Sequence, residues 1–119
     1  VDAAMNDLLR PSLYSAWHDI VTCDEKSPAE IEAAALCDVV GPVCETGDTL
    51  ATGRKLSVLE GDLIGVLDAG AYGAVMGSNY NARLKCAEVL VQNDSFKIIK
   101  ARQNFEDMVK IEREYLISE

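Results

Sequence analysis

A mainly β fold, a sandwich or barrel with a few short helices, is predicted by three observations. Five or six short segments have strand composition. Gly, Pro and Asn-Asp signals separate them. No regular alternation of strand and long helix points to a parallel βαβ sheet. At 119 residues the chain makes one domain, with a core of limited size.

The elements follow in order. Val1–Asn6 reads as the end of a strand. Pro11 restricts Arg10 to an extended conformation, so Arg10 and Tyr14 are expected on irregular backbone near one another. Trp17–Cys23 carries an aromatic, Ile, Val and Thr, and reads as a strand with Trp17, Asp19 and Val21 on one side. Ser27-Pro28-Ala29-Glu30 is a capping box with Pro at the first helical position, opening an alanine-rich helix to about Leu36. Cys37–Val43 is the next strand. Thr49–Ser57 reads as a polar connector with a β-bridge at most. Val58–Asp62 makes a turn, and Leu63–Asp68 is a buried-type strand.

Gly70-Ala71-Tyr72-Gly73 then breaks the pattern, and Ala74–Gly77 forms at most a helical turn before the loop Ser78–Asn81. Cys86–Gln92 and Phe96–Ala101 form a hairpin across Asn93-Asp94-Ser95. Asn104 caps a last helix, where Phe105, Met108, Val109 and Glu112 recur at i, i+3, i+4 and i+7.

Composition narrows the function classes. Net charge is −9, with 49% apolar and 26% charged residues. That balance argues against a nucleic-acid or anionic-membrane surface. No apolar stretch approaches the ~20 residues of a membrane helix. Nor does the start, Val1-Asp2-Ala3-Ala4, read as a signal peptide, so a cytoplasmic protein is expected. The chain opens without Met, as if cut from a longer polypeptide. Cys23, Cys37, Cys44 and Cys86 form no CxxC, and only one His is present, so no metal site is expected. The thiols read as reduced, mostly small core residues. Met5, Met76 and Met108 read as core fillers, and His18 as a strand-face residue.

One segment stands out: Gly41-Pro42-Val43-Cys44-Glu45-Thr46-Gly47-Asp48. A thiol and two carboxylates sit on a Gly/Pro-bounded turn after an apolar strand, where chemistry is often placed. A Cys-Glu pair alone is half an active site. Arg10, beside Leu8-Leu9 and near Tyr14, suits a carboxylate fork as well as it suits a surface arginine with a packed stem. Gly70–Gly77 fits neither dinucleotide nor P-loop spacing and reads as a tight corner, with Tyr72 either packing or touching a ligand.

Taken in order, three motifs resemble one family. They are Asp2-x-x-Met5-Asn6-Asp7-Leu8-x-Arg10-Pro11-x-Leu13-Tyr14, then Gly41-Pro42-x-Cys44-Glu45-x-Gly47-Asp48. The third is Asp68-x-Gly70-Ala71-Tyr72-Gly73 with Ser78-Asn79-Tyr80-Asn81 and Ala87-Glu88-Val89-Leu90-Val91. The set resembles the C-terminal domain of the diaminopimelate decarboxylases, within the alanine-racemase-like (fold type III) pyridoxal-phosphate enzymes. Ala3-Ala4 and Leu84-Lys85 depart from the common pattern away from these motifs.

That resemblance implies a β-sandwich or Greek-key barrel over residues 1–119. It implies an N-terminal (β/α)8 barrel, carrying the cofactor, that this chain does not contain. It also implies a homodimer with active sites between one subunit's barrel and the other's C-terminal domain. The implied reaction converts meso-diaminopimelate to L-lysine and CO2 in lysine biosynthesis. Arg10 and Tyr14 match the pair holding the substrate's distal carboxylate, and Glu45 the acid binding its distal ammonium. Cys44 matches the thiol that protonates the reacting carbon in the neighbouring site, and Tyr72 the tyrosine contacting cofactor and substrate. Lys55, Lys85, Lys97, Lys100 and Lys110 match no Schiff-base motif, so the chain alone is expected neither to hold pyridoxal phosphate nor to decarboxylate. It is expected to self-associate through apolar surface that the barrel would cover. The alternatives are a decarboxylase for ornithine or arginine, or a stand-alone β interaction module.

Overall fold

A computed structural model describes residues 1–116. Its strands pair into three separate two-stranded antiparallel ladders rather than one continuous sheet. In chain order the elements are α1 (Arg10–Tyr14), β1 (Ile20–Thr22), α2 (Pro28–Ala33), β2 (Ala35–Val40), β3 (Thr49–Leu56) and β4 (Ile64–Val66). There follow α3 (Gly70–Met76), a 3₁₀ turn (Tyr80–Ala82), β5 (Glu88–Gln92), β6 (Ser95–Lys100) and α4 (Phe105–Leu116). The chain is therefore a mixed small domain and less purely β than the sequence predicts.

The core lies on the β2–β3 ladder. Val39, Leu50 and Ala51 are buried with Leu8, and half-buried Ile20, Leu56, Ile64, Val66 and Ala69 pack against them. β1 and β4 pair beside this cluster, Ile20 opposite Val66 and Thr22 opposite Ile64. The longest strand, β3, is the segment that the sequence reading takes for a connector. Its alternation is hidden by irregular pairing. Cys37 faces Arg54, Val39 faces Ala51 and Val40 faces Thr49, so β3 carries two extra residues. Gly53, at φ +60°, absorbs the kink, and its N–H donates to Asp38 Oδ1 at 2.8 Å.

Local signals decide the small elements. Ser27 and Glu30 form the expected reciprocal capping box of α2, which stops at Ala33 because Ala34 turns extended into β2. Asn104 and Asp107 exchange backbone bonds of 3.0 and 2.9 Å at the start of α4. Arg10 is helical, not extended. Pro11 sits in the first turn of α1, where its missing N–H forfeits no helical bond. Residues 1–6 form no strand, because their polar groups are used in a turn: Asp7 N–H donates to Ala4 O at 2.8 Å. Trp17–Asp19 lie before β1, and the Trp17 indole donates to Asp19 Oδ1 at 3.0 Å.

Two expected core groups, the cysteines and the methionines, are not core. Cys23, Cys44 and Cys86 are exposed, Cys37 is half-buried, and Met5, Met76 and Met108 are half-buried. The core is too thin to hold them. Accessible surface is 8919 Å², where a monomer of this mass has about 6,300 Å². The radius of gyration is 17.1 Å, against about 13.5 Å for a compact domain of this length. Exposed apolar residues are spread along the chain, and one group lies on the β5–β6 hairpin, where Val89, Leu90, Val91, Phe96, Ile98 and Ile99 are all exposed.

Candidate functional site

The Cys44–Glu45 turn joins β2 to β3, and one carboxylate holds it in shape. Asp48, only 3% exposed, accepts from Val43 N–H at 2.7 Å through Oδ2 and from Met5 N–H at 2.6 Å through Oδ1. A buried carboxylate is stabilised only by such donors. The backbone closes around it: Gly41 N–H donates to Asp48 O at 2.9 Å, and Asp48 N–H donates to Glu45 O at 3.0 Å. Gly41 is glycine for space, since a Cβ there would lie 2.6 Å from Asp48 Cγ.

Helix α1 is tied to the same turn. The Ser12 hydroxyl donates to Gly47 O and also reaches Thr49 O at 3.4 Å. Arg10 and Tyr14 stand one helical turn apart, on one side of α1. The Arg10 guanidinium lies over the Tyr72 ring, 4.9 Å from its centroid. This contact holds the cation without neutralising it. Tyr72 comes from α3, which approaches so closely that a Cβ on Gly73 would meet Asp7 O at 3.1 Å.

Glu45 has a partner that sequence reasoning missed. The Tyr80 hydroxyl donates to Glu45 Oε2 at 2.9 Å. That hydrogen bond, and then the carboxylate's charge, pushes the Tyr80 hydroxyl above its ordinary value of 10.0. Tyr80 lies in the quoted Ser78–Asn81 motif, which was the available signal, but a loop reading gave it no role. Its own backbone is anchored by Asn6, 4% exposed, whose side-chain amide donates to Tyr80 O at 2.8 Å.

The structure thus joins Arg10 with Tyr72, Glu45 with Tyr80, and α1 with the Cys-Glu turn. Tyr14 and Tyr72 are 64% and 58% exposed, and Cys44 is exposed with no hydrogen-bond partner among the described residues. His18 is elsewhere engaged: it is buried, with Nδ1 3.0 Å from Leu67 O. Among the described residues no His, Cys, Asp or Glu cluster could hold a metal, and no helix is long and apolar enough to cross a membrane.

Residues 1–70 match the family profile "Pyridoxal-dependent decarboxylase, C-terminal sheet domain". The chain belongs to this decarboxylase family. It is 52% identical over 108 residues to the diaminopimelate decarboxylase of Pseudomonas fluorescens, covering 91% of this chain and 25% of that protein. To the diaminopimelate decarboxylase of Aquifex aeolicus it is 49% identical over 111 residues, covering 92% and 26%. A solved diaminopimelate decarboxylase from Helicobacter pylori, complexed with L-lysine, matches with a TM-score of 0.84 and 43% identity, over 97% of this chain and 28% of that one. The chain therefore spans about a quarter of the length of these relatives.

Pyridoxal phosphate is the family's cofactor. Of groups suited to such a ligand, Tyr72 offers an exposed phenol and Cys44 an exposed thiol. A cofactor aldehyde also needs an amine, and two of the lysines, Lys26 and Lys100, are paired with Asp62 and Glu88 at 3.1 and 2.7 Å.

Proposed function

We propose that this domain supplies the substrate-reading half of a diaminopimelate decarboxylase site. One observation carries the reading: a guanidinium and a carboxylate are presented from elements bound to each other through Ser12. The distal end of meso-diaminopimelate bears both a carboxylate and an ammonium. Arg10, with Tyr14, takes the carboxylate. Glu45 takes the ammonium. Ornithine carries only an ammonium at that end and would leave Arg10 unmatched, which favours the diamino diacid.

Pyridoxal phosphate, held by the remainder of the enzyme, supplies the electron sink for breaking the bond to the departing carboxylate. Tyr72, whose phenol is exposed, would contact that group and the substrate. Cys44 holds a proton at Sγ and delivers it to the carbon that has lost CO2, so the product is L-lysine. These residues serve a site on the partner subunit of a homodimer. The three ladders belong to a β-sandwich or Greek-key barrel spanning residues 1–119, and the enzyme works in the cytoplasm. The membership of a decarboxylase family supports this over a free-standing interaction module.

The test is an assay of the full-length enzyme on meso-diaminopimelate and ornithine. Lysine formation is expected, and Arg10→Ala should lower kcat/KM by about a hundredfold. Faster turnover of ornithine would overturn the reading.

A further inference from the structure

We propose that Tyr80 is a positioning residue for amine recognition: its hydroxyl fixes Glu45 so that one carboxylate oxygen remains for the substrate's ammonium. This rests on the function proposed above and adds a residue to it. The geometry is specific. Glu45 is clamped at both ends. Its backbone is set by the Asp48-centred turn, Glu45 N–H donating to Val43 O at 2.8 Å and Glu45 O accepting from Asp48 N–H at 3.0 Å. Its carboxylate is set by Tyr80, whose hydroxyl donates to Oε2 at 2.9 Å. A glutamate has three side-chain torsions, and an exposed one explores them all unless a partner selects one.

Tyr80 can act as that partner because it is fixed in turn. Its carbonyl accepts from buried Asn6 at 2.8 Å, and Ser78 N–H donates to Asn6 O at 3.1 Å. The 3₁₀ turn that presents it holds Asn81 and Ala82 at φ +55°, a conformation that redirects the chain toward Arg83. The Arg83 carbonyl is gripped by the Asn79 side-chain amide at 2.7 Å. A phenol that keeps its proton donates at every working pH. One acceptor site of Oε2 is thereby used, and Oε1 keeps both of its own to accept from an ammonium.

The experiment uses full-length enzyme with pyridoxal phosphate. Discrimination is measured as the ratio of kcat/KM on meso-diaminopimelate to that on 2-aminopimelate, which keeps the distal carboxylate and lacks the distal amine. Tyr80→Phe removes one oxygen and is expected to lower this ratio about tenfold, mostly through KM on the diamino substrate. Glu45→Gln is measured alongside. An unchanged ratio in Tyr80→Phe, or an equal loss on both substrates, would overturn the inference while Glu45→Gln still loses discrimination. A wild type that does not prefer diaminopimelate, or a Glu45→Gln that still discriminates fully, would instead overturn the functional reading beneath it.

Discussion

Two ladders of this molecule have the same topology and opposite surroundings. β2–β3 is irregular, with extra residues on β3 and a positive φ at Gly53, yet it carries the core and the Cys44–Glu45 turn. β5–β6 pairs from Glu88–Lys100 to Gln92–Ser95 around a tight Asn93-Asp94 turn, yet none of its residues is buried. β5–β6 is irregular only at its open end, between Glu88 and Val89, so regularity of pairing does not by itself make a stable region. β2–β3 is held by side chains reaching across sequence distance: Asp48 to Met5, Ser12 to Gly47, Leu8 onto Val39 and Leu50. Among the described residues the hairpin is held by its ladder, the Ser95 hydroxyl donating to Gln92 O at 2.9 Å and a surface ion pair, and an isolated two-stranded hairpin is marginal in water. The site is built where the chain is self-sufficient. The hairpin instead exposes six large apolar side chains.

The largest effect that sharpens this contrast is at Asp48. Replacing it with alanine strips two buried amides of a charged acceptor and should cost about 3–6 kcal/mol. Denaturant unfolding of wild type and Asp48→Ala measures it. A loss near zero would mean the turn does not depend on the carboxylate.

The hairpin should behave in the opposite way. Val91 and Phe96 are cross-strand partners, 69% and 76% exposed. Val91→Glu with Phe96→Lys keeps a charge pair across the strands while removing the apolar face. Its stability should stay within about 1 kcal/mol of wild type, while the light-scattering mass of the isolated chain falls toward the monomer. A wild-type chain that is already monomeric at high concentration would contradict the role given to this face.

The smallest effect concerns α2, outside both regions. The Ser27 side chain, then its backbone, holds the Glu30 carboxyl below its ordinary value of 4.5. A lowered folded pKa contributes stability that is present above that ordinary value and is lost as pH falls through the folded one. The Glu30 amide, bonded to Ser27 Oγ at 3.3 Å, should therefore lose protection as the carboxyl takes up its proton on acidification. In Ser27→Ala that step should disappear. Its persistence would detach Glu30 from the cap.

The same contrast explains what could be read from the sequence. Signals confined to a few neighbouring residues were legible: the Ser27–Glu30 capping box, the Asn93-Asp94 turn and the Asn104 cap. Each is decided by contacts within four residues. β3 was not legible, because its bulges break the period-2 pattern and Arg54 is buried on it, with its guanidinium 3.1 Å from the Trp17 ring centroid. Arg10 misled because the restriction imposed by Pro11 gave way to a first helical turn. Within the site, the Cys-Glu turn and Arg10 were visible as residue types on a loop and a short segment. Asp48's inward carboxylate and Tyr80's bond to Glu45 were not, since each joins residues more than thirty positions apart.

Under the proposed function this domain completes a site of the partner subunit, so two inactive full-length enzymes should complement each other when mixed. One carries Cys44→Ser with Glu45→Gln, and the other lacks the cofactor-binding lysine of its barrel. Random reassociation should restore up to about a quarter of wild-type activity per site, because a mixed dimer contains one intact composite site. Activity that stays at the level of the separate variants would contradict the account and place Cys44 and Glu45 in a site of their own subunit.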